Sequence, residues 1–322
     1  MRVFRDPAEV DVPDAGRVVT IGAFDGVHLG HLEVLRLVRE LASARGLRAA
    51  AVTFDRHPAE VVRPESAPLL LTTLEQKLEL LEATGLLDDC LVLTFDEARS
   101  REPAEDFVEE LLVASFGTRL VVVGDDFHFG FRRRGDVSLL KRMGTDLGFE
   151  VLGLGLVAAP GGAVAAPGMP AYSSTRVREL LRAGDVEGAA AVLGRPHEVR
   201  GTVERGDGRG VELGVPTANV AVPERTCLPD DGVYAGTFTS DDGVERGAAL
   251  SLGRRPTFYA DHGLLLLEAH VLDFEGDLYG RGARVRFHRR LRSQVAFEGV
   301  DELVAQMRRD VEATRETPRE TL

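Results

Sequence analysis

Gly22-Ala-Phe-Asp-Gly-Val-His-Leu-Gly-His31 is the stretch of this sequence that says most about how the chain folds. It follows an apolar run at Val18–Ile21, and its two histidines, His28 and His31, stand three residues apart. Glycine tolerates the positive φ of a tight turn, so the stretch predicts a strand that ends, turns and opens a helix. The unpaired N–H groups and partial positive charge of a helix start attract phosphate, and two imidazoles add donors. We therefore predict a nucleotide-phosphate site here, with ordinary capping histidines as the alternative.

The alternation of strand and helix patterns continues to about residue 155. We predict strands at Val18–Ile21, Arg48–Phe54, Leu91–Phe95, Leu120–Val123 and Phe149–Leu152, and helices at His31–Ala44, Thr73–Ala83, Pro103–Ser115 and Val137–Leu147. The strands are nearly all apolar, which favours a parallel sheet with both faces covered by helices. Such a Rossmann-like sheet binds ligands at the carboxyl ends of its strands, where Gly22 and Gly124 fall.

The pattern changes near Gly194-Arg-Pro196. Before it, residues 171–193 predict two short helices, and after it Glu198–Arg290 predicts short strands separated by glycine turns. Such strands are typical of an antiparallel barrel or sandwich, and we expect a last helix at Val300–Thr314. A chain of 322 residues favours two domains, which we place at residues 1–190 and 191–322.

Charge and cysteine content exclude some classes of partner. The formal net charge of −13 argues against nucleic acid or an anionic membrane, because both need clustered basic surface. The two cysteines, Cys90 and Cys227, are far apart in sequence and favour a reducing cytoplasm. The N-terminus shows no signal-peptide pattern, and no apolar run approaches the ~20 residues of a membrane span. We expect a cytoplasmic protein.

Two further motifs follow predicted strands of the first half. Thr53-Phe-Asp-Arg-His-Pro58 ends the second strand, where Asp55 and His57 can contact substrate if the motif is more than a turn. Gly124-Asp-Asp-Phe-His-Phe-Gly130 follows the fourth strand. Two aromatic side chains between glycines are unusual in a solvated loop, so the motif predicts a support for a nucleotide or an aromatic ring, with Asp126 as a polar anchor. The alternative is a loop that only packs on the sheet.

Tyr172-Ser-Ser-Thr-Arg-Val-Arg178 brings hydroxyl groups to a predicted helix start. Arg178 follows one turn later and lies near the same face as Ser174 and Thr175. Hydroxyls, free N–H groups and a guanidinium make a good phosphate clamp. A serine N-cap with surface arginines is the alternative.

The second half has a glycine-rich cluster of its own, Gly206-Asp-Gly-Arg-Gly210 followed by Gly214-Val-Pro-Thr-Ala-Asn219. Glycine-rich loops can hold phosphate through backbone N–H groups. If the second stretch is extended, Thr217 and Asn219 project to one side and offer oxygen ligands suited to Mg²⁺ with phosphate. A hairpin turn is the alternative.

Glu268 lies within the apolar run Leu264–Val271. A carboxylate in such a strand is costly unless it is paired or used, and the period of two puts His270 on its face. A carboxylate near a phosphate site can accept a proton from an attacking hydroxyl. The alternative is a glutamate at a strand end that faces solvent.

Taken together, the motifs resemble the prokaryotic bifunctional riboflavin kinase/FMN adenylyltransferases, also called FAD synthetases. GAFDGVHLGH, TFDRHP, GDDFHFG and SSTRVR occur in the order of that family's adenylyltransferase half. GDGRG, LGVPTAN, DGVYAG, GRRPTF, EAHVLDF and GDLYG follow in the order of its kinase half. The likeness covers almost the full length, and it implies a nucleotidyltransferase domain followed by a six-stranded Greek-key barrel with a C-terminal helix.

The resemblance also implies two reactions. The second half would phosphorylate riboflavin with ATP to FMN, with Glu268 as general base, and the first half would join FMN to ATP to give FAD and pyrophosphate. His28 and His31 would hold the ATP phosphates and stabilise the transition state of the second step. ATP is then the co-substrate, Mg²⁺ the metal at Thr217 and Asn219, and a weak homo-oligomer is left open.

The expected site residues fall into three sets. At the ATP of the first half we expect Gly22, Phe24, Asp25, Gly26, His28, His31, Ser174, Thr175 and Arg178. At the flavin or nucleotide of the same half we expect Asp55, His57, Asp126 and Phe127. At the ATP of the second half we expect Gly206, Gly208, Gly210, Thr217 and Asn219.

The sequence departs from the family pattern beside these positions. Arg56 stands where the family usually has proline and His128 where it usually has arginine, and Arg254 and Arg255 begin the turn before PTF. These departures bear on substrate affinity more than on activity. Three other functions compete: an adenylyltransferase whose second half only binds flavin or regulates, a flavin carrier or sensor without activity, and a nucleotidyltransferase for another phosphate ester.

Overall fold

The computed structural model describes residues 1–155, 157–159, 163–164, 171–206, 215–254 and 265–318. They form two compact units, Met1–Ser174 and Thr175–Leu322. The helix Val186–Leu193 is part of the second unit and packs against its strands His197–Glu204 and Gly282–Arg292. The division of domains at residues 190/191 stays a prediction. Across the described ranges, we find no helix with the length and apolar character that crossing a membrane requires.

The first unit is built on one sheet with helices on both faces. Its strands, in chain order, are β1 (Arg2–Phe4), β2 (Arg17–Ile21), β3 (Arg48–Phe54), β4 (Asp89–Leu93), β5 (Thr118–Gly124), β6 (His128–Phe129), β7 (Gly135–Asp136), β8 (Glu150–Leu154), β9 (Val157–Ala159) and β10 (Ala163–Val164). Its helices are α1 (Leu29–Arg45), α2 (Ala59–Val62), α3 (Leu74–Ala83), α4 (Glu97–Ser100), α5 (Ala104–Asp106), which continues as a π-helical segment over Phe107–Ser115, and α6 (Val137–Leu147).

The main sheet has the strand order β1-β4-β3-β2-β5-β8, and every neighbouring pair is parallel. The predicted Rossmann-like sheet is confirmed. From β2 the chain moves to one side through β3 and β4, and from β5 it moves to the other side to β8, so the order reverses between β2 and β5. Doubly wound sheets bind ligands at such a switch point, beyond the carboxyl ends of the strands. Gly22–His31 begins there, because β2 ends at Ile21.

Alternate residues of the central strands face opposite helical layers. Val18 belongs to an apolar cluster with Val38 of α1, whereas its neighbour Val19 belongs to a second cluster with Phe116. All four residues are fully buried. The near-continuous apolar character of the strands, from which the sheet was predicted, has this two-sided packing as its cause.

Several predicted boundaries need correction. The predicted strand Leu91–Phe95 is β4, Asp89–Leu93, and the predicted strand Phe149–Leu152 is β8, Glu150–Leu154. Apolar runs led to a start for β4 two residues after Asp89, its first residue, because Asp89 is charged. For β8 they led to a strand that begins one residue early and ends two residues early. The edge strand β1 was not predicted. The predicted helix Pro103–Ser115 is confirmed as helical from Ala104, but most of it is π-helical.

Asp89 begins β4 without facing water because three arginines surround its carboxylate. Arg17 and Asp89 are both fully buried. The Nε atoms of Arg17 and Arg48 donate to Oδ2 at 2.9 and 2.8 Å, and Nε of Arg2 donates to Oδ1 at 2.8 Å. Burial alone would raise the pKa of this carboxyl, but the hydrogen bonds from the three guanidinium groups hold it well below its usual range. All four residues lie at the amino ends of their strands, on the edge of the sheet opposite the switch point.

The second unit is a closed barrel with helices beside it. Its strands are β11 (His197–Glu204), β12 (Ala218–Ala221), β13 (Gly232–Thr239), β14 (Glu245–Arg254), β15 (Leu265–Val271) and β16 (Gly282–Arg292). The helix α7 (Ser174–Arg182) leads into it, followed by α8 (Val186–Leu193), and α9 (Val300–Glu316) packs on β13 and β14. Around the barrel the order is β11-β12-β15-β14-β13-β16, with antiparallel neighbours throughout, which is the expected six-stranded Greek key.

His197, at the start of β11, is a buried titratable residue that the sequence motifs did not include. Its Nε2 lies 2.8 Å from the carbonyl oxygen of Cys227. A carbonyl only accepts, so Nε2 carries a hydrogen and donates it. Burial lowers the pKa of His197 to about 4, against a smaller opposing effect of the hydrogen bond to Cys227.

Candidate active sites

The two histidines of the opening motif cap the helix they introduce. His28 is the N-cap of α1, and its Nδ1 accepts the backbone N–H of His31 at 3.4 Å. In return, Nδ1 of His31 accepts the backbone N–H of His28 at 3.3 Å. The two rings stack, with centroids 3.7 Å apart and an angle of 22° between planes. This reciprocal capping box satisfies helix-start N–H groups with imidazole rather than the usual hydroxyl and carboxylate.

The capping box decides which ring nitrogen carries the hydrogen. Because each Nδ1 accepts a backbone N–H, the hydrogen of each neutral ring is on Nε2, an assignment made from the hydrogen-bond network. His28 and His31 therefore both offer an Nε2–H donor at the positive end of α1. Capping and phosphate binding are compatible here, since they use different nitrogens of the same rings.

The turn before α1, residues 22–28, is called the histidine loop below. Its backbone is strained: Phe24, Gly26 and Val27 have φ angles of 49°, 81° and 39°. For Phe24 and Val27 this conformation is unfavourable, and for the β-branched Val27 strongly so. Both side chains are buried and hold the strained turn in place. Backbone strain of this kind persists only where the surrounding structure holds it in place, and it is found most often in loops at functional sites.

Asp25 anchors the histidine loop. Its carboxylate accepts the backbone N–H groups of Leu71 and Thr72, at 3.0 and 3.1 Å, and the carbonyl oxygen of Asp25 accepts Oγ of Ser174 at 2.8 Å. The N–H of Gly26 donates to Oγ1 of Thr72 at 3.1 Å. The segment before α3 and the start of α7 thus both meet the loop. Contact of Asp25 with ATP stays a prediction. In the structure its carboxylate binds backbone N–H groups and so positions the histidine loop.

Gly22 and Gly30 differ in their surroundings: a Cβ on Gly22 would meet only the ring of Phe24, at 3.3 Å, whereas one on Gly30 would meet backbone. Gly22 continues the pairing of β2 and β3 through its N–H, which donates to the carbonyl oxygen of Val52 at 3.0 Å. A Cβ on Gly30 would come within 3.0 Å of the carbonyl oxygen of Tyr172. The chain that leads into α7 therefore runs against the first turn of α1.

At the start of α7, the predicted phosphate-binding residues occupy one helical turn. Ser174 is its first residue, Thr175 is exposed, and Arg178 is buried one turn later. The structure thus brings Ser174 to the histidine loop. The binding roles of Thr175 and Arg178 stay predictions.

Asp55 and His57 follow β3 and take part in local structure. Oδ1 of Asp55 accepts the backbone N–H of Phe95 at 2.9 Å, which links the ends of β3 and β4. Nδ1 of His57 accepts the N–H of Ala59 at 3.2 Å at the start of α2. Arg56 is exposed between them. These residues surround the carboxyl end of β3, and their contact with flavin stays a prediction.

The loop after β5 combines the two interpretations that the sequence left open. Phe129 is buried in the core, and Phe127 stacks against it with centroids 5.5 Å apart. Asp126 and His128 are exposed, and the ring of His128 bonds through Nδ1 to the carbonyl oxygen of Asp126 at 2.7 Å. Phe129 therefore packs on the sheet, which was the alternative interpretation of this loop. Contact of Phe127 and Asp126 with a flavin or nucleotide stays a prediction.

In the second unit, three adjacent strands place polar side chains in one row. Asn219 of β12 lies directly opposite Glu268 of β15, and Glu268 lies directly opposite Ser251 of β14. Directly opposed residues of antiparallel strands point to the same face. The residues on either side of each are buried and these three are half-buried, so the row lies on the outer face of the barrel wall. Glu268 is thus partly accessible, neither in the core nor fully in solvent.

The glycine-rich cluster begins at this row. A Cβ on Gly206 would come within 2.1 Å of Nδ2 of Asn219, so a larger residue there would displace the Asn219 side chain. Thr217 is half-buried, just before β12 and two residues before Asn219. His270, two residues after Glu268, bonds through Nδ1 to the carbonyl oxygen of Pro216 at 2.8 Å. Gly208, Gly210 and Arg255 lie outside the described residues, and so does the side chain of Arg254.

Three residues that motif reasoning missed support these sites. Ser251 continues the row, and Gln294 donates through Nε2 to its hydroxyl at 3.1 Å. Lys77 of α3 is buried at the ends of β2 and β3. An isolated lysine, serine or glutamine gives no signal in a single sequence, because only the pairing of distant strands brings it to the site.

The donor set for a metal ion consists of neutral oxygens. Within the described ranges, no three His, Cys, Asp or Glu side chains gather into a metal-binding group. A magnesium ion at the row would therefore be held by the hydroxyl of Thr217 and the amide oxygen of Asn219 together with phosphate oxygens of a nucleotide. That donor set suits Mg²⁺, which binds few protein ligands and bridges phosphates.

Comparisons with known proteins cover both units. A family model described as FAD synthetase matches residues 11–165, and one described as riboflavin kinase matches residues 193–317. A Pseudomonas fluorescens protein named bifunctional riboflavin kinase/FMN adenylyltransferase is 39% identical over 301 residues, which are 93% of this chain and 92% of the relative. The protein of the same name from Escherichia coli strain K12 is 35% identical over 304 residues, 94% of this chain and 93% of its own length.

A solved structure shows the same fold. The crystal structure of a Streptococcus pneumoniae protein, described as a macrolide-efflux protein, is 28% identical and has a TM-score of 0.83. The alignment covers 98% of this chain and 99% of that one. The likeness in fold therefore extends through both units.

Proposed function

We propose two consecutive reactions for this chain, which belongs to the family of bifunctional riboflavin kinase/FMN adenylyltransferases. With ATP as co-substrate, it phosphorylates riboflavin to FMN and then adenylylates FMN to FAD, releasing pyrophosphate. The observation that carries the proposal is that each compact unit has its own phosphate-handling group of residues. The first has His28 and His31 at a helix start, and the second has Asn219 opposite Glu268.

The barrel is assigned the kinase reaction. The terminal ribityl hydroxyl attacks the γ-phosphorus of ATP, its proton passes to the Glu268 carboxylate, and the bond to the bridging oxygen of ADP breaks. A neutral alcohol is a poor nucleophile, which is why this step needs a base. Support comes from the register, which places Glu268 directly opposite Asn219. Mg²⁺, held by Thr217 and Asn219, would neutralise phosphate charge.

The first unit is assigned the adenylyl transfer. A phosphate oxygen of FMN attacks the α-phosphorus of ATP, and the bond to the β-phosphate breaks to release pyrophosphate. The FMN phosphate is already an anion, so no base is needed, and catalysis rests on positioning and charge neutralisation. The Nε2–H donors of His28 and His31 and the hydroxyl of Ser174 would supply these, and the roles of Thr175 and Arg178 stay predictions.

The flavin of the first unit is assigned to residues that follow β3 and β5, the two strands on either side of β2. Asp55 and His57 follow β3, and Asp126 and Phe127 follow β5. The half-buried ring of Phe127, fixed by stacking on Phe129, offers an aromatic surface to an isoalloxazine ring.

In the second unit, Gly206 with Gly208 and Gly210 would hold the ATP of the kinase reaction. The proposed enzyme works in the cytoplasm. It has no nucleic-acid or membrane partner, and its self-association is at most weak.

The test is a product assay with the whole chain. With riboflavin, ATP and Mg²⁺, we expect FMN to appear first and FAD with pyrophosphate to follow. If the chain makes FAD from supplied FMN but no FMN from riboflavin, it is an adenylyltransferase whose second half only binds flavin or regulates. If it binds flavin but makes neither product, it is a flavin carrier or sensor. If it adenylylates other phosphate esters but not FMN, it is a nucleotidyltransferase with another substrate.

A further inference from the structure

Lys77 is a buried lysine at the carboxyl edge of the sheet. Only 7% of the residue is exposed. Its ammonium donates to the carbonyl oxygen of Ala23 at 3.1 Å and to that of Phe54 at 2.7 Å. Ala23 is in the histidine loop, and Phe54 is the last residue of β3. One side chain on α3 therefore ties together the chain segments that leave two adjacent strands.

Keeping an ammonium in this place is costly. Burial lowers the pKa of Lys77 to about 8, against the opposing effects of Asp25, Cys90 and Asp55. Methionine has nearly the same length and would fill the space without desolvating a charge. The cost points to a role of the ammonium beyond packing.

The two carbonyl groups connect Lys77 to residues assigned to the adenylyl transfer. Ala23 precedes the strained segment that ends at His28, and its carbonyl also accepts Oγ1 of Thr53 at 3.3 Å. Phe54 precedes Asp55. Charge-assisted hydrogen bonds are roughly twice as strong as neutral ones, so the ammonium holds both segments more firmly than a hydroxyl or an amide would.

We propose that Lys77 is a positioning residue of the adenylyl-transfer site. Its ammonium fixes the histidine loop against the end of β3, so that His28 and His31 present their Nε2–H donors in the geometry that the transition state requires. The inference rests on the proposed function. It adds to that function a residue that contacts neither the reacting atoms nor the capping box.

The first experiment compares Lys77→Met with Lys141→Met, a change at the chain's other lysine, which is exposed on α6. We expect Lys77→Met to lower kcat for FAD formation by at least about tenfold with little change in KM, because misplacement mainly affects the transition state. FMN formation by the same molecules should be unchanged, and Lys141→Met should match the wild type in both reactions.

The second experiment is a pH profile, which a purely structural role would not move. The titratable groups facing the ammonium are Asp25, Asp55 and Cys90, and burial raises the pKa of the Cys90 thiol to about 12, so that thiol stays neutral in the range used. We expect wild-type FAD formation to fall as the pH rises through about 8, where Lys77 loses its charge. Lys77→Arg keeps the charge and should not show this fall.

The outcomes are separable. No FAD from the wild type would overturn the proposed function itself. A wild type that makes FAD, with Lys77→Met equally fast, would overturn only the role of Lys77. If circular dichroism shows that Lys77→Met does not fold, the wild-type profile decides, since no fall through pH 8 in FAD formation relative to FMN formation contradicts the inference.

Discussion

Asn219 and Glu268 lie directly opposite each other on neighbouring antiparallel strands of the barrel. The pair joins an amide oxygen that can hold a metal–phosphate complex to a carboxylate that can take a proton, on the same face of the wall. Residues 49 positions apart in sequence thus meet through strand register rather than through a local motif. The barrel half of the proposed mechanism depends on this pairing.

Glu268→Gln should abolish riboflavin phosphorylation. The amide has nearly the same shape as the carboxylate but cannot accept the proton, so we expect a loss of roughly 10²–10⁴-fold in kcat for FMN formation. FAD formation from supplied FMN should be unchanged. The measurement is separation of flavin products by chromatography, with Glu224→Gln, at an exposed position of the same unit, as the matched control. FMN formation at the wild-type rate would remove Glu268 from the mechanism.

His28→Asn separates helix capping from phosphate chemistry. Asparagine is a favourable N-cap, so the first turn of α1 should persist, but the Nε2–H donor is lost. We expect loss of FAD formation by about 10²-fold or more, with FMN formation unaffected. Helix content is checked by circular dichroism, and His28→Ala, which loses cap and donor together, should also be less stable. Normal FAD formation by His28→Asn would show that the histidine serves α1 alone.

Asp89→Asn should destabilise the first unit. The change leaves the fully buried guanidinium of Arg17 with only its longer ion pair to Asp11, at 3.7 Å, and breaking a buried pair such as Arg17–Asp89 costs about 3–5 kcal/mol. We expect the capacity to form FAD to be lost at a lower temperature than in the wild type, while thermal loss of the kinase activity is unchanged. Asp14→Asn, at an exposed position, is the control. Equal inactivation temperatures for Asp89→Asn and the wild type would contradict the importance of the network.

His197 makes the barrel sensitive to acid. Its pKa falls from 6.5 to about 4 on folding, so its contribution to stability is fully present above pH 6.5 and is lost as the pH falls toward 4. The shift corresponds to about 3 kcal/mol. Glutamine keeps a donor for the carbonyl oxygen of Cys227 but does not titrate.

We therefore expect His197→Gln to lose less barrel stability than the wild type between near-neutral pH and pH 4. The measurement is the urea concentration that halves the kinase activity after incubation at each pH and return to assay conditions. An equal loss of barrel stability in the wild type and in His197→Gln over this pH range would contradict the role of His197.

Sequence patterns predicted those parts of the molecule whose structure depends on residues within a single strand or helix. Apolar runs marked the central strands, and the spacing of His28 and His31 marked a helix start with donors. Glu268 stood out because a charge interrupts an apolar strand. In each case the physical cause is local to a few consecutive residues.

The parts that the sequence did not predict depend on burial of charge by distant residues. Asp89 lay outside the predicted strand Leu91–Phe95, and the arginines around it come from three other strands. Lys77 gave no signal in the sequence, because its ammonium donates to carbonyl groups of Ala23, just after β2, and Phe54, the last residue of β3. Such arrangements become visible only when strand order is known.

The most direct test of two separate sites is an assay of riboflavin with ATP and Mg²⁺ using Glu268→Gln and His28→Asn, each alone and then mixed in equal amounts. We predict that Glu268→Gln alone makes no FMN or FAD and that His28→Asn alone stops at FMN. The mixture should make FAD, because FMN released by one variant is adenylylated by the other. Loss of both reactions in either folded variant, or FAD formed from riboflavin at the wild-type rate by either variant alone, would contradict the account.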